Sequence, residues 1–201
     1  MHNYNKEEFL TLGILETIDS QSDVTQRHLA SSLGVALGLA NSYLKRCVRK
    51  GLIKIEQAPA NRYLYYLTPS GFAEKSRLTA EYLSTSFDFY RRASTSCTRV
   101  FQKCLSNNYH QILLCGISEL AEIASLRARD LNIQIAGIVD IHTDKHEYIE
   151  LPVWSSLDQI MRYDACVFTS LQHTDELLAL LRRTVPKERI LIPDILSLHV
   201  D

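Results

Sequence analysis

Three groups of residues have side chains whose types and spacing can do chemistry. Asn41, Ser42, Lys45, Arg46 and Arg49 fall at intervals that place them on the outward side of a helix. Amides and hydroxyls at that spacing suit hydrogen bonding to base edges, and the cations suit phosphates. Arg62 adds a further cation downstream. The second group is Gly116, Ser118, Glu119 and Asp140. Gly116-x-Ser118-x-x-Ala121 has the spacing of a turn that lays backbone amides against a pyrophosphate, with Ser118 in place of the second glycine. Asp140 stands where a carboxylate can accept from ribose hydroxyls. The third group, Asp140, His142, Asp144 and His146, alternates within one loop and offers imidazole and carboxylate, which suit zinc or nickel. Nothing in the spacing makes those four converge, so they read as polar loop residues and no metal is assigned.

The elements that must position the first group lie between Thr25 and Leu67. Thr25 is a helix N-cap residue, and Leu29, Ala30 and Leu33 then share one face. Gly34 follows where a tight turn between helices needs positive φ. A second helix runs from about Leu37 to Lys50, with Ala40, Tyr43 or Leu44, and Cys47 inward. Gly51 ends it. Two strands, Leu52–Glu56 and Arg62–Leu67, are joined by a hairpin loop over Gln57–Asn61. Helix, glycine turn, helix and hairpin make a winged helix-turn-helix whose second helix fits the major groove of double-stranded DNA. The DNA-contacting set is Leu37, Gly38, Asn41, Ser42, Lys45, Arg46, Arg49 and Arg62, with Leu37 and Leu39 offering apolar contact such as with thymine methyls. From Ala36 to Leu67, Lys45, Arg46, Arg49, Lys50, Lys54 and Arg62 stand against Glu56 alone, while the whole chain carries a formal charge of −1. Positive charge concentrated on one unit suits phosphate contact. The same fold also serves as a protein-interaction module.

The first helix precedes this pair, from about Lys6 to Asp19, capped by Asn5 with Glu8 and burying Phe9, Leu12, Ile14, Leu15 and Ile18. After the hairpin, Pro69 opens a stretch without proline or glycine from Phe72 to Cys115, so residues from Pro69 to about Leu105 run as one helix or two broken ones. A single rod of that length exceeds about 50 Å. Phe72, Thr79, Leu83, Phe87, Tyr90, Cys97, Phe101 and Cys104 recur along it like a coiled-coil seam, which predicts a homodimer contact; the other reading is a helix folded back on its own domain. Arg91, Arg92, Arg99 and Lys103 form a solvated face.

Beyond Asn107-Asn108, strand and helix alternate. Strands are expected at Gln111–Cys115, Ile133–Val139, Leu151–Val153, Ala165–Thr169 and Arg189–Ile192, and helices at Glu119–Leu131, Leu157–Met161 and Asp175–Arg183. That order predicts a parallel sheet covered on both faces, with ligands beyond the carboxyl ends of the strands. Acidic residues outnumber basic ones fourteen to eight from Asn108 on, so this is not the nucleic-acid surface.

Two resemblances add to this reading. Gln26-Arg27-x-Leu29-Ala30, Leu33-Gly34-Val35, Asn41-x-x-Leu44-Lys45, Lys50-Gly51-Leu52-Ile53-Lys54 and Tyr66-Leu67-Thr68-Pro69-x-Gly71 resemble MarR-type winged-helix repressors, especially the group associated with exopolysaccharide gene clusters. The resemblance implies a regulator of surface-polysaccharide genes. Ala36 departs from it, standing where such helices usually carry a capping Ser or Thr. The last ninety or so residues are similar to short Rossmann domains of nucleotide-sugar enzymes and to Rex-type redox repressors, through the Gly116 turn and Asp140. That implies a nucleotide, NAD(H) or a nucleotide sugar as the small-molecule effector. Against a phosphate ligand, Ser118 carries a Cβ and Glu119 puts a carboxylate at the helix N-terminus. The other reading of this domain is a scaffold for assembly that binds no nucleotide.

The five cysteines are scattered, odd in number and form no CxxC pair, which points to reduced thiols and a cytoplasmic location. The cysteines read as core thiols; the other reading has Cys97 and Cys104, seven apart on one helix face, meeting their copies across the seam. No run of eighteen apolar residues and no secretory leader is seen. No G-x-S-x-G elbow surrounds Ser118, so no catalytic triad is expected and the chain is read as a non-enzyme. The expected organisation is a winged helix-turn-helix over residues 1–71, a long linking and dimerisation helix over 72–107, and a small Rossmann-like α/β domain over 108–201 that senses or assembles. The competing readings are an enzyme-like protein that binds NAD or a nucleotide sugar, and a non-catalytic interaction module.

Overall fold

A computed structural model describes residues 6–59, 62–160 and 162–198. The chain divides into two compact units, residues 1–88 and 89–201.

The first unit holds α1 (Lys6–Ser20), α2 (Gln26–Ser32), α3 (Leu37–Arg49), β1 (Ile53–Ala58), β2 (Arg62–Leu67) and the start of α4 (Pro69–Ser106). Its core joins Ile14, Leu15 and Ile18 of α1 to Leu29, Leu44, Cys47, Ile53, Tyr65 and Leu78. Phe9, expected inside, is half exposed, and Leu10 is buried in its place. Leu10, Ile14 and Ile18 share one helical face and Phe9 sits beside it. The expected cap Asn5 lies outside the described residues, as do Ala60 and Asn61 of the hairpin loop.

Local chemistry sets the ends of α2 and α3. Thr25 Oγ1 accepts from the His28 amide at 3.1 Å, one of the donors a helix start leaves unpaired. Thr25→Ala should cost about 1 kcal/mol, read as a lower urea midpoint at an unchanged m-value. Gly34 and Gly51 take φ of +62° and +71°, the left-handed region where a Cβ is penalised. At the end of α3, Leu52 N donates to Cys47 O and Gly51 N to Val48 O. That paired arrangement satisfies the last carbonyls and turns the chain into β1. β1 and β2 pair antiparallel from Ile53↔Leu67 to Ala58↔Arg62. Thr68 Oγ1 donates to Gly51 O at 2.6 Å and accepts from Gly71 N at 3.1 Å. A Cβ at Gly71 would lie 2.1 Å from Leu52 O, so only glycine lets the start of α4 pack against the base of the hairpin.

The second unit runs from Phe89. It holds the remainder of α4, then β3 (Gln111–Cys115), α5 (Glu119–Asp130), β4 (Gln134–Val139), β5 (Glu147–Tyr148), β6 (Leu151–Trp154), β7 (Ala165–Phe168), α6 (Thr174–Thr184) and β8 (Ile190–Leu191). The strand order is β5-β6-β4-β3-β7-β8. All neighbours pair parallel except β5, which pairs antiparallel with β6. The sheet is therefore mixed, not purely parallel, because the chain doubles back through a tight hairpin before β6. A three-residue 3₁₀ turn at Leu157–Gln159 replaces the expected helix, of which Met161 lies outside the described residues.

Every residue from Ile112 to Cys115 and from Ala165 to Phe168 is buried, because both sheet faces are covered. On one face α4 and α5 pack through Cys97, Phe101, Cys104 and Ala124 against Ile112 and Leu114. On the other, Leu177, Leu178 and Leu181 of α6 pack against Leu113, Cys115 and Phe168.

This packing corrects the reading of α4 as one continuous seam. Cys97, Phe101 and Cys104 are fully buried within the second unit, whereas Phe72, Leu83, Phe87 and Tyr90 are exposed. A helical stripe reports burial and not which surface buries it, so its far end faces the chain's own sheet. Cys97 and Cys104 therefore do not face a second copy. Burial pushes both thiols up to about 12, which keeps them protonated and unreactive. Among the described residues, no helix is long and apolar enough to cross a membrane.

Candidate nucleic-acid interface and the cleft of the second unit

The surface that α3 offers follows from its three buried contacts. Ala40, Leu44 and Cys47 fix the rotation of the helix, which leaves Gly38, Ser42, Lys45 and Arg49 exposed in a row along the opposite face. Leu37 and Leu39 are exposed in the first turn. Ala36 precedes them in extended conformation and gives the helix no side-chain cap. A Cβ built on Gly38 meets nothing within 4 Å, so this part of α3 is open to close approach.

Two members of the predicted contact set are placed differently. Arg46 turns back to α1, its guanidinium 2.5 Å from the Glu7 carboxylate. It braces α3 against α1 where an outward phosphate contact was expected. Asn41 is half-buried, and among the described residues its Oδ1 is buried with no hydrogen-bond partner. Arg62 is exposed at the start of β2. Lys54 reaches Glu56 at 2.6 Å, and the hydrogen bond its ammonium donates to that carboxylate raises its pKa. Tyr63 and Tyr66 of β2 are also exposed, as is Arg27 in the first turn of α2. None of these three belongs to the contact set expected from sequence, although strand alternation about the buried Tyr65 turns Tyr66 outward.

The second unit carries a cleft of about 350 Å³, lined by Ser118, Glu119, Asp140, His142, Ser170 and His173 among others. It lies beyond the carboxyl ends of β3, β4 and β7. From β3 the chain moves outward to β4 and β6, then crosses to β7 and β8, so the cleft sits at the point where strand order reverses.

The turn after β3 is closed upon itself. Gly116 has φ +103°, and a Cβ there would come within 2.7 Å of the Ser170 backbone. Its tight approach is to the segment after β7. Ile117 N donates to Asp140 Oδ2 at 2.8 Å, and His142 N donates to Oδ1 at 2.9 Å. Ser118 Oγ accepts from the Leu120 and Ala121 amides and donates to Thr169 O at 2.5 Å. Glu119 is exposed at the start of α5. The groups expected to hold a ribose and a pyrophosphate thus join β3, β4 and β7 to one another. Asp140→Ala strands the Ile117 and His142 amides, and the expected loss is about 1–3 kcal/mol in denaturant unfolding.

The run Asp140, His142, Asp144 and His146 does not converge. Among the described residues the one cluster with metal-ligand character is His142, His173 and Glu176.

Residues 10–54 match the model of a winged helix-turn-helix DNA-binding family. That span takes in α1 from Leu10 on, α2, α3 and the start of β1, the elements that turn Ser42, Lys45 and Arg49 outward. Among curated proteins none matches the sequence. Similar solved structures include MepR, a transcription regulator of the Staphylococcus aureus multidrug efflux pump MepA, at 25% identity over 42% of this chain and 62% of that one, TM-score 0.36. A S. aureus MepR–DNA complex matches at 24% identity over 42% of this chain and 61% of that one, TM-score 0.37. A Mycobacterium tuberculosis MarR family protein in complex with p-aminosalicylic acid matches at 17% identity over 49% of this chain and 76% of that one, TM-score 0.39. The chain thus spans about three fifths of the length of MepR.

Proposed function

We propose that the protein is a MarR-like transcription regulator that binds double-stranded DNA as a homodimer through the exposed face of α3. The observation that carries this reading is the row Gly38, Ser42, Lys45 and Arg49 on a helix inside the matched winged helix-turn-helix. Cations at that spacing neutralise phosphates, and Ser42 with the apolar first turn meets base edges. Arg62 and Tyr66 on the hairpin reach the flanking backbone. The dimer uses the exposed residues Phe72, Leu83 and Phe87 of α4. Apolar side chains recurring along one stretch of helix lose their contact with water when a second copy covers them. Two copies of α3 then read two half-sites.

The second unit is Rossmann-like in its strand order and acts as the sensing or assembly part. An effector regulates DNA binding only if it prefers one dimer geometry over another. The test is binding of the full chain to duplexes from its own gene neighbourhood, followed by fluorescence anisotropy across salt concentration. Tight binding to one duplex that falls linearly with the logarithm of salt supports the reading. Absence of binding to all of them at low salt contradicts it.

A further inference from the structure

We propose that His142, His173 and Glu176 form a site for a divalent first-row transition metal at the cleft of the second unit. The three residues come from two stretches of the chain. His142 follows β4, His173 precedes α6 and Glu176 lies in the first turn of α6. The sheet joins what the sequence separates. One ligand atom from each lies within 4.8 Å of the other two. His142 Nε2 is 3.1 Å from Glu176 Oε2, and the two imidazole rings are 4.4 Å apart at 32°.

Donor atoms each about 2 Å from one ion lie within about 4 Å of each other. Small side-chain rotations therefore bring all three onto one ion. Imidazole and carboxylate together suit zinc, nickel, cobalt or iron better than magnesium or calcium, which prefer oxygen donors. Three protein ligands leave the fourth position of a tetrahedral ion to solvent or to a small ligand in the cleft.

Two features point to more than a chance surface pairing. His173 has a left-handed backbone, φ +49° and ψ 35°, directly before α6. A non-glycine residue seldom adopts that conformation. It is also not serving as a side-chain cap there. On the other wall, the His142 amide is fixed by Asp140, which also holds the turn after β3. The loop that carries His142 is thus tied to the sheet. Glu119 and Asp140 add negative charge to the same cleft. Its cation Lys145 is drawn over the Tyr148 ring at 5.2 Å.

The test uses the full chain stripped with chelator and titrated with Zn²⁺ or Co²⁺ alone, without DNA. It therefore stands or falls independently of the DNA-binding reading. One ion per chain is expected, with a visible Co²⁺ spectrum of nitrogen and oxygen ligation. His142→Gln with His173→Asn should lower affinity by about a hundredfold or more, since loss of even an outer-shell partner costs 10- to 100-fold. Asparagine tolerates the left-handed backbone at 173, and all three side chains are exposed, so an unchanged circular dichroism spectrum confirms that the variant is folded. Glu176→Gln provides a second, milder loss on the same binding curve. Equal binding by wild type and the double variant overturns the proposal. So does a thiolate charge-transfer band with Co²⁺, or no uptake by the wild type.

Discussion

Replacing Lys45 and Arg49 together by alanine should weaken binding to duplex DNA by roughly ten- to a hundredfold at moderate salt, about 1–3 kcal/mol. The salt dependence should flatten at the same time. Each phosphate contact removed takes about 0.9 from the slope of log K against log salt, so the double variant should lose roughly two from it if both cations sit on phosphates. Both side chains are exposed on the face of α3 opposite Ala40, Leu44 and Cys47, so their removal should leave the unfolding midpoint almost unchanged. Arg46→Ala is the informative contrast. Its guanidinium is paired with Glu7, so its removal acts first on the α1–α3 contact. Being partly exposed, that pair should contribute no more than about 1 kcal/mol. A salt slope unaffected by Arg46→Ala but reduced by the Lys45 and Arg49 changes would separate the two roles.

Phe101→Ala should be the most destabilising single change along α4. Phe101 is fully buried against the sheet of the second unit, and truncating a buried phenylalanine costs about 3–5 kcal/mol through lost transfer energy and the cavity left behind. The loss should appear in unfolding of the second unit and be independent of protein concentration. Phe87 belongs to the same periodic pattern yet is 56% exposed. Phe87→Glu with Leu83→Glu should therefore leave each unit folded and shift the molecule from dimer to monomer by light scattering. If Phe101→Ala instead changes oligomeric state with no loss of stability, the assignment of its neighbourhood to the core is wrong.

What could be read from sequence divides along the range of the interactions. Thr25, Gly34 and Gly51 set helix ends through contacts a few residues away, and they sit where a local reading places them. The strands Gln111–Cys115 and Arg62–Leu67 were legible because apolar runs and turn residues bound them. The partner of a surface was not legible. The stripe on α4 is regular from Phe72 to Cys104, but only packing decides that Cys97, Phe101 and Cys104 meet a sheet. Arg46 reads as outward by periodicity, but its long side chain finds Glu7 in another helix. Asp140 has the position of a ribose ligand, yet its oxygens serve the Ile117 and His142 amides. His142 and His173 follow strands on either side of β3 and meet only across its end. β5 has two residues, too few to show a period.

The most direct measurement of where DNA sits is cleavage by a tethered reagent. The five native cysteines are buried, so Ser42→Cys supplies one accessible thiol in α3, and Gln102→Cys supplies one on the exposed side of α4 in the second unit. Iron-EDTA attached at position 42 should cut a bound duplex at two sites about one helical turn apart, each facing a major groove, and the same reagent at position 102 should cut weakly or not at all. Strong cleavage from position 102 with none from position 42 would show that α3 does not enter the DNA.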